Sequence, residues 1–201
     1  MEHADELFHV KQLIGRNRMS MDTSFQIAFY NDLNIFDQKK IDAFVCRCYQ
    51  ETAVSSIHLP ELNVLSVCMW NENQMIGYAG IFLYPFSSTQ SVFAAITCFF
   101  IKPDQRNLGY GIRLLTYLES YLHEAHIADF SLFTCHPQLT AFYTTHSNWR
   151  ELPIRLTSGS RYDSRQMGLV VLFQSFCKHM DETRMLDYDG VDLDLPDGLF
   201  L

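Results

Sequence analysis

The chain is short of basic residues and of glycine, and it has no C-x-x-C cysteine pair; each shortage closes off a class of function. Fifteen lysines and arginines face 23 aspartates and glutamates, giving a net charge of −8 and a pI near 5.4. A protein that tracks nucleic-acid phosphates carries a basic face, so no nucleic-acid partner is expected. The six cysteines (Cys46, Cys48, Cys68, Cys98, Cys135 and Cys177) form no C-x-x-C pair, which excludes the common zinc-ribbon spacings. Several lie in apolar runs, where a free thiol behaves as a small core residue, and a reducing, cytoplasmic setting is the expectation. His123 and His126 offer half of a metal site but no third ligand is evident. They read as partners of a helix C-terminus, and no metal is expected. The longest strongly apolar stretch runs only from Val92 to Ile101, half of the ~20 residues that span a bilayer. The acidic N-terminus lacks the basic-then-apolar order of a signal peptide. No membrane partner is expected, and no repeat stands out.

What is present is the pattern of one mixed α/β domain. At ~150 residues per domain, 201 residues make about one. Strands are expected over Ser24–Tyr30, Asn63–Trp70, Met75–Tyr84 and Ser91–Ile101, the last three as an antiparallel meander around the Asn71–Gln74 turn. Helical spacing of apolar residues marks Phe36–Tyr49 and Gly109–Glu124. A strand over Ala128–Cys135, a short helix over Leu139–His146 and two strands, Arg150–Leu156 and Gly168–Gln174, flanking a polar loop complete one mostly antiparallel sheet flanked by helices. Residues 1–20 are expected to form a helical extension that caps the domain or contacts a second copy in a homodimer. Residues 21–178 form the domain and 179–201 an acidic tail. Residues 181–201 hold seven acidic side chains and one basic, a net of −6, leaving −2 for the other 180 residues.

The segment that carries chemistry is Ile101-Lys102-Pro103-Asp104-Gln105-Arg106-Asn107-Leu108-Gly109-Tyr110-Gly111: strand, turn, glycine-containing loop, helix. Gly109 and Gly111 remove side chains where a ligand would approach backbone closely. The helix start offers unpaired N–H groups and a positive dipole end to a phosphate, and Arg106 can add a charge-assisted contact. No Gly-Lys-Ser/Thr follows, so it is not a Walker loop, and it lacks the three glycines of a dinucleotide fingerprint.

This segment resembles the acetyl-CoA signature of the GCN5-related N-acetyltransferase (GNAT) superfamily, in which an aliphatic strand end precedes x-Pro-x-x-Arg-x-x-Gly-x-Gly/Ala and a helix. The later strand, the Phe142-Tyr143 helix and an aromatic at Trp149 also match; Ser147-Asn148 stands where the family usually has glycine. The resemblance covers roughly residues 24–174. It implies a GNAT-like fold, acetyl-CoA as cosubstrate and transfer to a primary amine by direct attack. By the same resemblance, acetyl-CoA enters a splayed gap between the Ser91–Ile101 and Asp129–Cys135 strands. It meets Phe99, Phe100 and Ile101 there, and Arg106, Asn107, Leu108, Gly109, Tyr110, Gly111 and Ile112 at the loop. Tyr143 is then the general acid for the thiolate. The base is open: relatives place a glutamate on the strand before the proline, whereas Thr97 stands here, and His136 or a water chain is the substitute.

The acceptor is read from the tail. Asp192 and Asp194 alternate with apolar residues, and Asp197 follows; with Thr97 and His136 they are the candidate acceptor contacts. Clustered carboxylates attract a polycation, so a small cationic amine or amino sugar is expected, with a partial similarity to aminoglycoside 2′-N-acetyltransferases. A protein lysine or N-terminal acetyltransferase, and a non-catalytic CoA-binding regulatory module, are the alternatives.

Overall fold

A computed structural model describes residues 23–49, 57–58, 60–86, 91–158, 162–188 and 190–192. The expected N-terminal helix, Asp194 and Asp197 lie outside the described residues. Seven strands make the main sheet in the order β1-β2-β3-β4-β5-β9-β6: β1 Thr23–Phe29, β2 Leu65–Asn71, β3 Gln74–Phe86, β4 Ser91–Ile101, β5 Phe130–Cys135, β6 Arg150–Leu152 and β9 Val170–Ser175. All neighbours run antiparallel except β4 and β5. The large, mostly antiparallel sheet flanked by helices is therefore formed as the sequence pattern predicts.

One face of the sheet is covered by α2, Tyr110–Ala125, and α3, Pro137–His146. Leu114, Leu115, Leu118 and Leu122 recur at helical spacing and are fully buried against Ile81, Ile96 and Phe133. This is the face the sequence reading assigned to them. The other face is covered in two parts. Helix α1, Ile35–Tyr49, lays Ile41, Phe44 and Val45 over Cys68 and Tyr78. A second, three-stranded sheet in the order β10 (Gly190–Asp192), β7 (Arg155–Ser158), β8 (Tyr162–Asp163) covers Phe93, Phe130 and Phe173.

That small sheet is the main departure from the sequence reading. A single strand over Arg150–Leu156 is expected, but Pro153 cannot donate to a ladder. The segment splits, β6 staying in the main sheet and β7, Arg155–Ser158, leaving it. The polar loop after it contains β8, Tyr162–Asp163, paired with β7. The acidic tail begins with a short helix, α4, Glu182–Leu186, capped by the Asp181 carboxylate accepting from the Arg184 N–H. Strand β10, Gly190–Asp192, then pairs parallel with β7. Val191 is buried and its two neighbours are exposed, the period of two expected there.

Candidate active site

Strands β4 and β5 pair only at Phe93–Phe130 and Ala94–Ser131. That end is pinned: Val92 N–H donates to Asp129 Oδ2 (2.8 Å), Asp129 N–H to Val92 O (2.7 Å), and Ser131 Oγ to Ala94 O (2.9 Å). Beyond it β4 runs on to Ile101 with no ladder to β5, and the two strands open into a wedge. Lys102 N–H bonds Ile76 O on β3, so strand alternation turns the backbone groups of Ile101 and Phe99 toward the wedge. Arg106 Nε already donates to Ile101 O (3.2 Å). One of the Arg106 donors therefore holds the loop to the strand, while its other nitrogens stay available to an anion.

The loop turns through two left-handed residues, Asn107 (φ 63°) and Gly109 (φ 84°), and Gly109 is the N-cap of α2. A side chain at Gly109 would meet nothing within 4 Å, so glycine is there for its φ and leaves the approach open. At Gly111 an added Cβ would touch the Phe142 ring at 3.4 Å, so this glycine serves the packing of α2 on α3. The opening amides of α2 at Gly111 and Ile112 have no intrahelical acceptor, and Leu108 is exposed at the loop tip. Phe99, Ile101 and the loop residues expected to meet acetyl-CoA surround this opening, whereas Phe100, also expected there, pairs with Tyr78 on β3 and sets its ring edge-on to Tyr49 of α1 on the other face. On the other face, Lys39, Lys40, Arg47 and Lys102 line a groove of about 810 Å³ reaching Pro103, which adds positive potential beside the loop.

Tyr143 fills the wedge from the α3 side. It is 5% exposed, and its ring meets Phe99 on β4 (5.8 Å between centroids) and Phe133 on β5 (5.1 Å), both edge-on. Burial, with Cys135 nearby, pushes its phenol well above the ordinary value. Trp149 is buried, its ring edge-on to Phe133. The altered Ser147-Asn148 pair is absorbed locally: Ser147 Oγ donates to Tyr143 O (2.5 Å) and Asn148 Nδ2 to Glu119 Oε1. His136 is the exposed N-cap of α3 at the end of β5. It has no side-chain partner among the described residues.

Thr97 lies on β4 opposite Gly80, on the face away from Tyr143. Asp192 is on β10 and accepts from Thr157 Oγ1 (2.8 Å). The small sheet reaches β5 through a Tyr162–Thr134 hydroxyl pair (2.8 Å). Asp192 and Thr97 therefore belong to the face opposite α3, although nothing brings them into contact.

Two features escaped the sequence reading. Strand β4 carries a bulge where the β3 register shifts between Tyr78 and Gly80. Cys98 there takes φ 54°, a left-handed conformation that a non-glycine residue rarely adopts, stored next to the wedge. The second is a buried polar chain behind it. His58 Nε2 and the Tyr78 hydroxyl lie 2.6 Å apart, Tyr78 and Ser66 Oγ 3.0 Å apart, and Tyr30 donates to Asp42 (2.6 Å). Both His58 and Thr97 lie against Gly80. Burial lowers His58 to about 4 and raises Tyr78 well above its ordinary value, so both stay neutral. The bulge has no sequence signature without glycine; in the polar chain each bonded pair joins residues 12 to 20 positions apart.

No curated protein matches the sequence. Solved structures share the fold at low identity. An acyl-CoA N-acyltransferase from Pseudomonas aeruginosa superposes with a TM-score of 0.57 at 11% identity, over 77% of this chain and all of that one. Escherichia coli ElaA gives 0.56 at 12%, over 76% and 99%. The E. coli ribosomal-protein-S18-alanine N-acetyltransferase gives 0.53 at 15%, over 77% and 95%. The sequence profile described as the Acetyltransferase (GNAT) family matches residues 30–146, more than half of the chain and the whole stretch from the end of β1 through the Tyr143 helix. With the wedge, the loop and the fold in agreement, the chain belongs to the GNAT acetyltransferase family, the acetyl-CoA-dependent N-acetyltransferases.

Proposed function

We propose that this enzyme acetylates a primary amine on a small cationic acceptor, an aminoglycoside-like amino sugar or a polyamine, by direct attack within a ternary complex. The observation that carries the reading is Tyr143 set between Phe99 and Phe133 at the open part of the wedge. Bound acetyl-CoA supplies an activated acetyl thioester. The backbone edge at Phe99 and Ile101 would hold its extended arm, and Arg106 with the opening amides of α2 its pyrophosphate.

The chain's own residues favour direct attack over an acyl-enzyme. The two cysteines at the cleft are poor nucleophiles: burial raises the thiol of Cys98, and lifts that of Cys135 to about 11. Both stay protonated, and a protonated thiol does not attack. The amine must then be neutral as it attacks. No carboxylate lies on β4, and His58 at about 4 is too weak a base for an amine. Exposed His136 is our candidate to take the proton, directly or through water. Tyr143, holding its proton throughout the neutral range, donates a hydrogen bond to the sulfur as charge develops there. The acceptor enters from the face opposite α3, where Thr97 and Asp192 lie, and the acidic tail draws cations to that side.

The test is thiol release from acetyl-CoA over a panel of aminoglycosides, polyamines, lysine peptides and N-terminal peptides. Tyr143→Phe should lower kcat about 100-fold with acetyl-CoA affinity by calorimetry nearly unchanged. His136→Gln should lose rate at neutral pH and recover it as the pH rises. Acetyl-CoA binding without turnover of any amine would leave only the regulatory reading. Turnover confined to peptides would move the acceptor to protein.

A further inference from the structure

At the pinned end of the wedge, three side chains converge that play no part in acetyl transfer: Asp129 just before β5, and Cys177 and His179 in the turn after β9. Their ligand atoms lie within 4.8 Å of one another. His179 Nε2 is 3.4 Å from Asp129 Oδ1 and 3.6 Å from Cys177 Sγ. The same imidazole nitrogen faces both partners. A catalytic Cys-His-carboxylate relay needs one partner on each ring nitrogen, so this cluster is not one. Convergence on a single point is the geometry of shared coordination.

The spacings fit a specific ion. Tetrahedral zinc holds S at about 2.3 Å and N or O at about 2.0–2.2 Å. The edges of such a tetrahedron are then about 3.3–3.5 Å for N···O and about 3.6 Å for S···N, which match the two distances observed. The thiolate, imidazole and carboxylate donor set selects zinc and its neighbours over magnesium or calcium.

The surroundings are ordered before any ion arrives. The Val92 N–H occupies Asp129 Oδ2, leaving Oδ1 to face the cluster. Phe176 N–H donates to Asp129 O (2.8 Å), tying the two segments together. Ser175 Oγ donates to Cys177 O (2.6 Å) and accepts from its N–H, and Arg184 Nη1 donates to His179 O (2.5 Å). The His179 side chain is 57% exposed, so an ion has a way in and a fourth position for water.

We propose that Asp129, Cys177 and His179 form a three-ligand zinc-class site that clamps the end of β9 to the start of β5 at the apex of the wedge. It lies at the opposite end of β4 from the anion loop, roughly 30 Å away at 3.3 Å per residue, and so it is a structural site. It revises the expectation of no metal, which rested on cysteine pairs and histidine spacing along the chain.

The experiment uses the full chain stripped with a chelator, then titrated with Zn²⁺ by calorimetry and with Co²⁺ by absorption. Wild type should bind one equivalent with micromolar or tighter affinity. Its Co²⁺ form should show the intense visible bands of a tetrahedral ion and a thiolate charge-transfer band, and Zn²⁺ should raise its melting temperature. Cys177→Ser should abolish the charge-transfer band and weaken binding at least 100-fold, and Asp129→Asn and His179→Ala should weaken it at least 10-fold. Acetyl-CoA affinity measures folding in each variant, because that site is remote. No saturable binding by wild type would overturn the proposal. So would equal binding by wild type and folded Cys177→Ser, which would place the ion on other residues.

Discussion

His58 makes the stability of this protein depend on pH between about 4 and 6.5. It is 6% exposed, shares a hydrogen bond with Tyr78, and burial lowers it from 6.5 to about 4. Between those values the unfolded chain binds a proton that the native imidazole refuses. Stability therefore rises with pH across the window and is lost as the pH falls. The contribution is complete above pH 6.5. At 1.36 kcal/mol per pH unit, about 2 kcal/mol is gone by pH 5 and about 3 kcal/mol by pH 4. That is a large part of the ~5–15 kcal/mol that holds a typical domain folded. Carboxylates act in the same direction at the acid end, so the comparison must be with a variant. His58→Gln can keep a hydrogen bond to Tyr78 but cannot titrate. Urea unfolding of both proteins at pH 7, 6, 5 and 4 should show the wild type losing about 2 kcal/mol of stability relative to the variant between pH 7 and 5. Parallel pH profiles would refute the reasoning, since they would mean that His58 titrates normally in the native state.

Three further outcomes follow from particular residues. Gly109→Ala should cost about 1 kcal/mol because φ 84° disfavours any side chain, and should weaken acetyl-CoA binding in calorimetry; unchanged affinity would remove the loop from the cofactor site. Leu118→Ala, fully buried beneath the sheet, should lower the free energy of unfolding by about 2–5 kcal/mol with an unchanged urea m-value. Removing residues 193–201 keeps β10 and the Asp192–Thr157 bond. It should raise KM for a polyamine several-fold at low salt and have little effect at high salt; an unchanged KM at low salt would deny the tail a role in acceptor capture.

Local order wrote most of this fold into the sequence. The spacing of Leu114, Leu115, Leu118 and Leu122 fixes which face of α2 is buried, because 3.6 residues per turn permits only one stripe. The run Ser91–Ile101 is β4 residue for residue, since Lys102-Pro103 cannot extend it. The order of strand, Pro, Arg, Gly and helix was equally legible, because an anion loop is built from consecutive backbone and needs no distant partner. What the sequence missed depends on long-range contacts. Pro153 marked a break, but only packing over Phe93, Phe130 and Phe173 sends β7 into a second sheet. The bulge at Cys98 follows from the β3 register, and the neutrality of His58 from burial beside Gly80 and Tyr78. Asp129 stands 48 positions before Cys177, and no spacing rule joins them; antiparallel pairing of β5 with β9, Phe130 opposite Ser175, brings them together. Sequence alone determined most of the elements and the glycine-containing turn into α2, because those rest on near neighbours. The environment of each reactive group was decided by the tertiary structure, because burial and convergence belong to the packed chain.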